Sequence, residues 1–191
     1  NSYLQYDDND IFNFSDGTND VAFEINFKIK PSNIISQALF LNKHGSSGSN
    51  RTWEVRHLNQ KLRVILYSNL VTSDNISYEN STTLLNGTEY QIKVTYDGNG
   101  NLLVFVDGDS TGTFTGNVNY VKMGISNNKV TVGRLLTSSS FNFAGTIRGL
   151  TIEKITSDPT IEPADIISAY KFENNFIDSK GTNSGTGTGV T

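Results

Sequence analysis

The sequence predicts an all-β fold, a sandwich of antiparallel sheets. Three observations carry that prediction. Apolar and polar residues alternate at period two in one segment after another. Turn-forming residues recur at intervals of roughly 8–12 residues. The one stretch with helical character is short, around "EPADIISAY". The chain has 191 residues, 36% of them apolar, which suits one sizeable β domain with its own core.

The clearest strand is "VAFEINFKIK". Val21, Phe23, Ile25, Phe27 and Ile29 share one face, and Glu24, Asn26, Lys28 and Lys30 share the other. Pro31, with no N–H to donate, is expected to end the ladder. In "TWEVRHL", Trp53 and Val55 oppose Glu54 and Arg56. Asn59 and Gln60 then form a turn. The return strand "KLRVILY" sets Leu62, Val64 and Leu66 against Arg63, Ile65 and Tyr67. Next, "YQIKVTY" places Tyr90, Ile92, Val94 and Tyr96 opposite Gln91, Lys93 and Thr95. It leads through the glycine-bearing turn "DGNG" into "NLLVFVDG". "KVTVG" and "GTIRGLTIEKI" supply later strands. In the last of these Ile147 is out of phase with Leu150 and Ile152, so a β-bulge is expected near Gly149. The shared parity predicts that Val21, Phe23, Ile25, Phe27, Trp53, Val55, Leu62, Val64, Ile92 and Val94 are buried between the sheets.

A formal charge of −4 argues against a general nucleic-acid binder, which needs a basic surface. No apolar run approaches the ~20 residues that would insert across a membrane. With no cysteine, disulfides, thiolate metal sites and cysteine nucleophiles are excluded.

The succession "FEINFKIKP", "FLNKHG", "WEVRHLNQKLRVILYS", "TEYQIKVTYDGNGNLLVFVDG", "VTVGRLL" and "FAGTIRGLTIEKI" resembles the laminin-G/concanavalin A-like family, in particular its bacterial and phage branch. The resemblance covers about residues 3 to 156, and its most specific piece is the hairpin "TEYQIKVTYDGNGNLLVFVDG". It implies a two-sheet antiparallel jelly-roll sandwich of the concanavalin A-like lectin/glucanase type. Many such domains bind glycans or proteins, and many stand in tandem on surface proteins or tail fibres. The family often has paired aspartates after the isoleucine of the last strand, where this chain has Arg148 and Gly149.

By the same resemblance, the tail "AYKFENNFIDSKGTNSGTGTGVT" looks like the opening of such a domain. The expected organisation is a sandwich over 1–157, a linker or short helix over 158–168, and a strand segment over 169–191. That segment either completes this sandwich or belongs to a neighbouring repeat. An open jelly-roll edge invites a strand, and the tether favours the chain's own edge. "AYKF" is expected to pair there, with Tyr170 and Phe172 turned toward apolar partners.

For function, the glucanases of this fold class need carboxylates on alternate residues of one strand. No Glu-x-Asp-x-x-Glu pattern occurs, Glu24 stands alone, and His44 and His57 lack a Ser-His-Asp context, so the chain is read as a non-enzyme. Among the aspartates of residues 7–20, Asp16 and Asp20 are the expected ligands of a Ca²⁺ ion, the alternative being ordinary turn acids. Trp53 shares parity with Val55 and is assigned to the core. The opposite parity gives Arg56, Arg63, Tyr67, Gln91 and Lys93, a polar set that would line the concave sheet if these strands are adjacent. A plain solvated face is the competing reading. His44 and Arg51, at the ends of the loop "NKHGSSGSNR", form a second candidate at the rim. The expectation is a glycan-binding or adhesion module of an extracellular, cell-surface or virion protein. Its partners would be a glycan or surface protein and a neighbouring laminin-G-like domain. The rival is a structural spacer, fibre or decoration domain with no glycan ligand.

Overall fold

Period-two alternation makes each strand of this chain dry on one side, and two such sheets bury their dry sides against each other. The computed structural model describes residues 3–34, 36–44, 50–135 and 141–155 in full, and the backbone of 166–170 and 186–188. Among these residues the larger sheet has eight strands. In spatial order they are β13 (Thr186–Thr188), β1 (Tyr3–Tyr6), β10 (Val130–Val132), β3 (Gln37–His44), β4 (Arg51–Leu58), β5 (Lys61–Tyr67), β6 (Asn75–Thr83) and β9 (Gly112–Thr115). The smaller sheet runs β12 (Ile166–Tyr170), β11 (Ala144–Lys154), β2 (Phe23–Asn33), β7 (Tyr90–Tyr96) and β8 (Leu102–Val106). Every paired neighbour is antiparallel. No helix among the described residues is long and apolar enough to cross a membrane.

The core forms where the alternation predicts it. Phe23, Ile25 and Phe27 of β2 and Ile92 and Val94 of β7 face Trp53 and Val55 of β4 and Leu62 and Val64 of β5, all buried. Each such side chain contributes about 1.5–3 kcal/mol on leaving water. Phe14 stacks on Phe23 at 4.0 Å between ring centroids and leans on Trp53, whose indole N–H donates to the Phe12 carbonyl at 3.0 Å. That bond satisfies the one polar atom of a wholly buried ring. Val21 differs from expectation. It lies outside β2, is only half-buried, and spends its N–H on the Phe14 carbonyl.

Local chemistry sets the turns and irregularities. Asn59 and Gln60 both adopt positive φ, +50° and +66°, as a two-residue hairpin between twisted strands requires. Between Arg148 and Thr151 the β11–β2 register slips, so Gly149 and Leu150 together oppose Phe27. Gly149 takes φ +62° at this bulge, which lets Leu150 and Ile152 point into the core although Ile147 precedes them out of phase. Pro31 ends only one ladder. Pairing with β7 stops at Ile29, while pairing with β11 continues through Asn33.

The tail corrects the helix expected around "EPADIISAY". Ile166–Tyr170 is a strand on the open edge of β11, with Leu150 opposite Tyr170 and Thr151 opposite Ala169. An unpaired ladder rewards a strand there, and paired isoleucines suit one. The strand therefore begins within the expected linker. Of the "AYKF" segment, Lys171 and Phe172 lie outside the described residues. Further on, β13 pairs with β1, so the segment after residue 165 contributes an edge strand to each sheet of its own chain.

His57 is a polar exception inside the core. It is 1% exposed, lies 5.7 Å from the Phe40 ring, and neither ring nitrogen has a hydrogen-bond partner. Burial pushes its pKa down to about 4 from the ordinary 6.5.

Two predictions follow from these features. Gly149→Ala is expected to lose about 1–2 kcal/mol in urea denaturation, and Gly149→Asn less, because the strain is backbone strain at a position with open space around it. For His57, the unfolded chain takes up a proton below pH 6.5 while the folded chain resists until about pH 4. Wild type should therefore lose up to about 3 kcal/mol relative to His57→Leu as pH falls through that window, and nothing above it. Parallel stability curves for the two proteins between pH 7.5 and pH 4.5 would contradict this.

Candidate functional site

The outer face of the larger sheet, at β3 to β5, is polar and largely dry. A bulge at Phe40 and a second register slip between Lys43 and His44 set which side chains reach it. His44 of β3 stands opposite Arg51 of β4, Asn42 opposite Glu54, and Arg56 opposite Arg63 of β5. Five sequence candidates thus share one face: His44, Arg51, Arg56, Arg63 and Tyr67. His44 and Arg51 belong to strands rather than to a loop, and residues 45–49 of that connection lie outside the described residues.

Gln91 and Lys93 are not with them. Strand β7 belongs to the smaller sheet, so their side chains occupy the outer face of the opposite layer. Lys93 pairs there with Glu24 at 2.7 Å, and Gln91 donates to the Phe27 carbonyl at 3.3 Å. Parity gives a residue's side of its strand but not which sheet that strand joins, and the two sets were separated at that step.

Glu54 is the centre of the cluster. Its carboxylate is 1% exposed, its Oε2 lies 2.8 Å from His44 Nε2, and its Oε1 lies 3.2 Å from Arg56 Nη1. Burial raises its pKa, but His44 and the charges of Arg56 and Arg51 outweigh that and hold it below the usual range. Arg51 donates to the Tyr67 hydroxyl at 3.3 Å and lies 5.6 Å over its ring, with the His44 ring edge-on at 6.1 Å. Tyr67 is buried, and its phenol is pushed well above the ordinary value, first by burial and then by the Glu54 charge. Arg63 donates to Ser77 Oγ at 3.1 Å. The sequence pattern marked Glu54 only as an acid facing Arg56. Its place between β3 and β5 is not visible in strand periodicity.

A pocket of ≈ 70 Å³ opens beside Glu54, lined by His44, Arg51, Glu54, Arg56, Leu135 and Phe141 among others. Beside them Asn142 bridges Leu39 and Asn42 Nδ2 donates to the Arg134 carbonyl at 2.8 Å, while residues 136–140 lie outside the described residues. Three buried nitrogens here have no hydrogen-bond partner: His44 Nδ1, Arg56 Nε and Arg63 Nε. Interiors rarely leave such groups unmet, and here His44 and Arg56 stand beside an opening.

Asp16 and Asp20 sit elsewhere, at a turn before β2 closed by a Ser15–Asp20 bridge. Asp20 Oδ2 accepts from Tyr96 at 2.8 Å and Tyr120 at 2.6 Å, and its Oδ1 accepts from the Met123 N–H at 2.6 Å. Asp16 Oδ1 accepts the N–H groups of Thr18 and Asn19, each at 2.7 Å, which holds its carboxyl below the usual range. Asp16 Oδ1 and both oxygens of Asp20 thus accept protein donors. No group of three His, Cys, Asp or Glu suited to a metal occurs among the described residues. Asp20 fastens the 120–123 loop to β7.

Removing the central carboxylate should expose the cost of its surroundings. Glu54→Ala, which leaves Arg56 and His44 without their acid, is expected to destabilise the fold by about 3–5 kcal/mol, and Glu54→Gln by less. Because its folded pKa is depressed, the charge stabilises above the usual carboxyl range and that contribution is lost as pH falls through it. The gap between wild type and Glu54→Gln should therefore narrow from pH 7 to pH 3, measured by chemical denaturation.

No protein-family model matches the chain, and no curated protein matches it in sequence. Solved structures do match in fold. A candidate carbohydrate binding protein from Bacteroides ovatus superposes with TM-score 0.66 at 19% identity, covering 100% of this chain and 57% of its own. The sialidase carbohydrate-binding module CBM40 of Ruminococcus gnavus, bound to α2,3-sialyllactose, gives TM-score 0.56 at 12% identity, over 72% of this chain and 79% of its own. The binding domain of botulinum neurotoxin serotype C1 gives 0.57 at 17% identity, over 81% of this chain and 38% of its own. The chain spans a little over half the length of the first of these. At such identities the likeness establishes the fold: this is a jelly-roll sandwich of the lectin-like kind.

Proposed function

We propose that this chain is a carbohydrate-recognition module of laminin-G-like type, working by binding rather than catalysis, within a multidomain extracellular, cell-surface or virion protein. The observation that carries the reading is the pocket beside Glu54, where His44 Nδ1 and Arg56 Nε are buried and unmet. A plain solvated sheet face would hydrate its polar groups, and a purely structural cluster would pair them. Planar guanidinium and carboxylate groups beside an aromatic ring also suit the hydroxyls and ring faces of sugars. The fold supports the reading in a coarser way, since two of the neighbours described above are carbohydrate-binding proteins or candidates for that role. The laminin-G-like assignment rests on the sequence resemblance.

A glycan array probed with this domain is the direct test. Wild type is expected to bind at least one glycan. Arg51→Gln should weaken that binding about tenfold or more, the value of a charged hydrogen bond. Lys28→Gln, exposed on the outer face of the smaller sheet, should leave it unchanged. Absence of binding to any glycan would favour the structural-spacer alternative. Equal losses in both variants would remove the site from the larger sheet.

A further inference from the structure

The unmet groups at the pocket are unequal in kind. Arg56 Nε, on the pocket lining, and Arg63 Nε, on the neighbouring strand, can only donate, while Glu54 Oε1 is already faced by Arg56 Nη1. An occupant that satisfies them must bring mainly acceptors. Charge points the same way. The chain as a whole carries −4, yet this face gathers Arg51, Arg56 and Arg63 against Glu54 and, opposite Arg63 in β6, Glu79. It is a local positive patch on an acidic molecule. Size limits the contact. A pocket of ≈ 70 Å³ is far below the roughly 300 Å³ at which pockets start to enclose whole small ligands, so it receives one functional group. Leu135 and Phe141 on its rim offer apolar surface to the rest of the molecule.

We infer that the pocket holds the carboxylate of an acidic sugar. This rests on the carbohydrate-recognition reading and narrows it to a ligand class. A carboxylate presents two acceptor oxygens in a plane, the shape that a guanidinium matches, and such pairs are stronger than neutral ones. Arg56 is fixed for that role because Glu54 holds Nη1 at 3.2 Å while Nε remains without a partner. Arg51, placed over Tyr67, supplies the second cation at the same opening. The carboxylate could come from a sialic acid or from a uronic acid, and the chemistry at the pocket is common to both.

The experiment is calorimetric titration of the wild-type chain with five probes: a sialylated oligosaccharide, a uronate oligosaccharide, the carboxyl-reduced form of each, and a sulfated glycan without carboxylates. Binding of either acid about tenfold to a hundredfold tighter than its reduced form is expected. Which acid binds identifies the source. The preference should shrink when NaCl rises from about 0.05 M to about 0.5 M, since it rests on charge. Arg56→Lys should lose most of it while keeping the positive charge. Should that variant fold poorly, Arg51→Gln should reduce the preference in part, because Arg51 lines the same opening. Equal binding of the acid and reduced forms would overturn the inference and leave carbohydrate recognition standing. Tighter binding of the sulfated glycan would overturn the carboxylate assignment. Binding of no probe and of no glycan on the array would bring down both readings.

Discussion

A carboxylate that is 1% exposed in the outer face of a sheet must keep its charge compensated or lose several kcal/mol of stability. Glu54 imposes that constraint on β3, β4 and β5 together. His44 reaches it from one side, Arg56 stands two residues along its own strand, and Arg51 crosses to Tyr67 on the far strand. The register that places these groups is the same register that turns Trp53, Val55, Leu62 and Val64 into the core. A one-residue slip of β4 would expose the indole and bury the arginine, so the polar centre and the apolar core specify each other.

Elsewhere charged groups act as fasteners for loops. Lys43, with its side chain fully buried, bridges Asp8 at 2.5 Å and the Asn128 carbonyl at 2.9 Å, tying the segment after β1 to the loop before β10. Burial lowers its pKa and Asp8 raises it, and burial prevails. Asp20 does the same for Tyr96, Tyr120 and Met123. These contacts are closed, with donors and acceptors matched. The Glu54 cluster differs in leaving buried donors unmet at an opening, and that difference separates a candidate recognition site from a structural network.

The two faces of each strand were legible in the sequence because side-chain direction in a strand depends only on parity. Phe23, Ile25, Phe27, Ile92 and Val94 needed nothing more, and Gly149 was legible because a phase slip demands a bulge. Assignment of Arg56, Arg63 and Tyr67 to an outer face followed from the same rule. Strand partnership was not legible, since it depends on contacts between residues far apart in sequence, and so Gln91 and Lys93 were grouped with residues of the other sheet. The role of Asp20 was hidden for a similar reason, its partners lying 76 to 103 residues away. At the tail, Ile166–Ser168 fell within the expected linker or short helix, but the vacant edge of β11 draws them into the strand that Ala169 and Tyr170 were expected to form.

Under the proposed function, the buried and unmet nitrogens on the larger sheet are the means of recognition. Arginine Nε–H and histidine ring N–H resonances, followed by NMR during titration with a glycan taken from the array, report on those atoms directly. Shifts of the Arg56 Nε–H and His44 ring signals are expected, accompanied by amide shifts in β3, β4 and β5. Shifts confined to β2, β7 and β11, with the Arg56 and His44 signals unmoved at saturation, would contradict it.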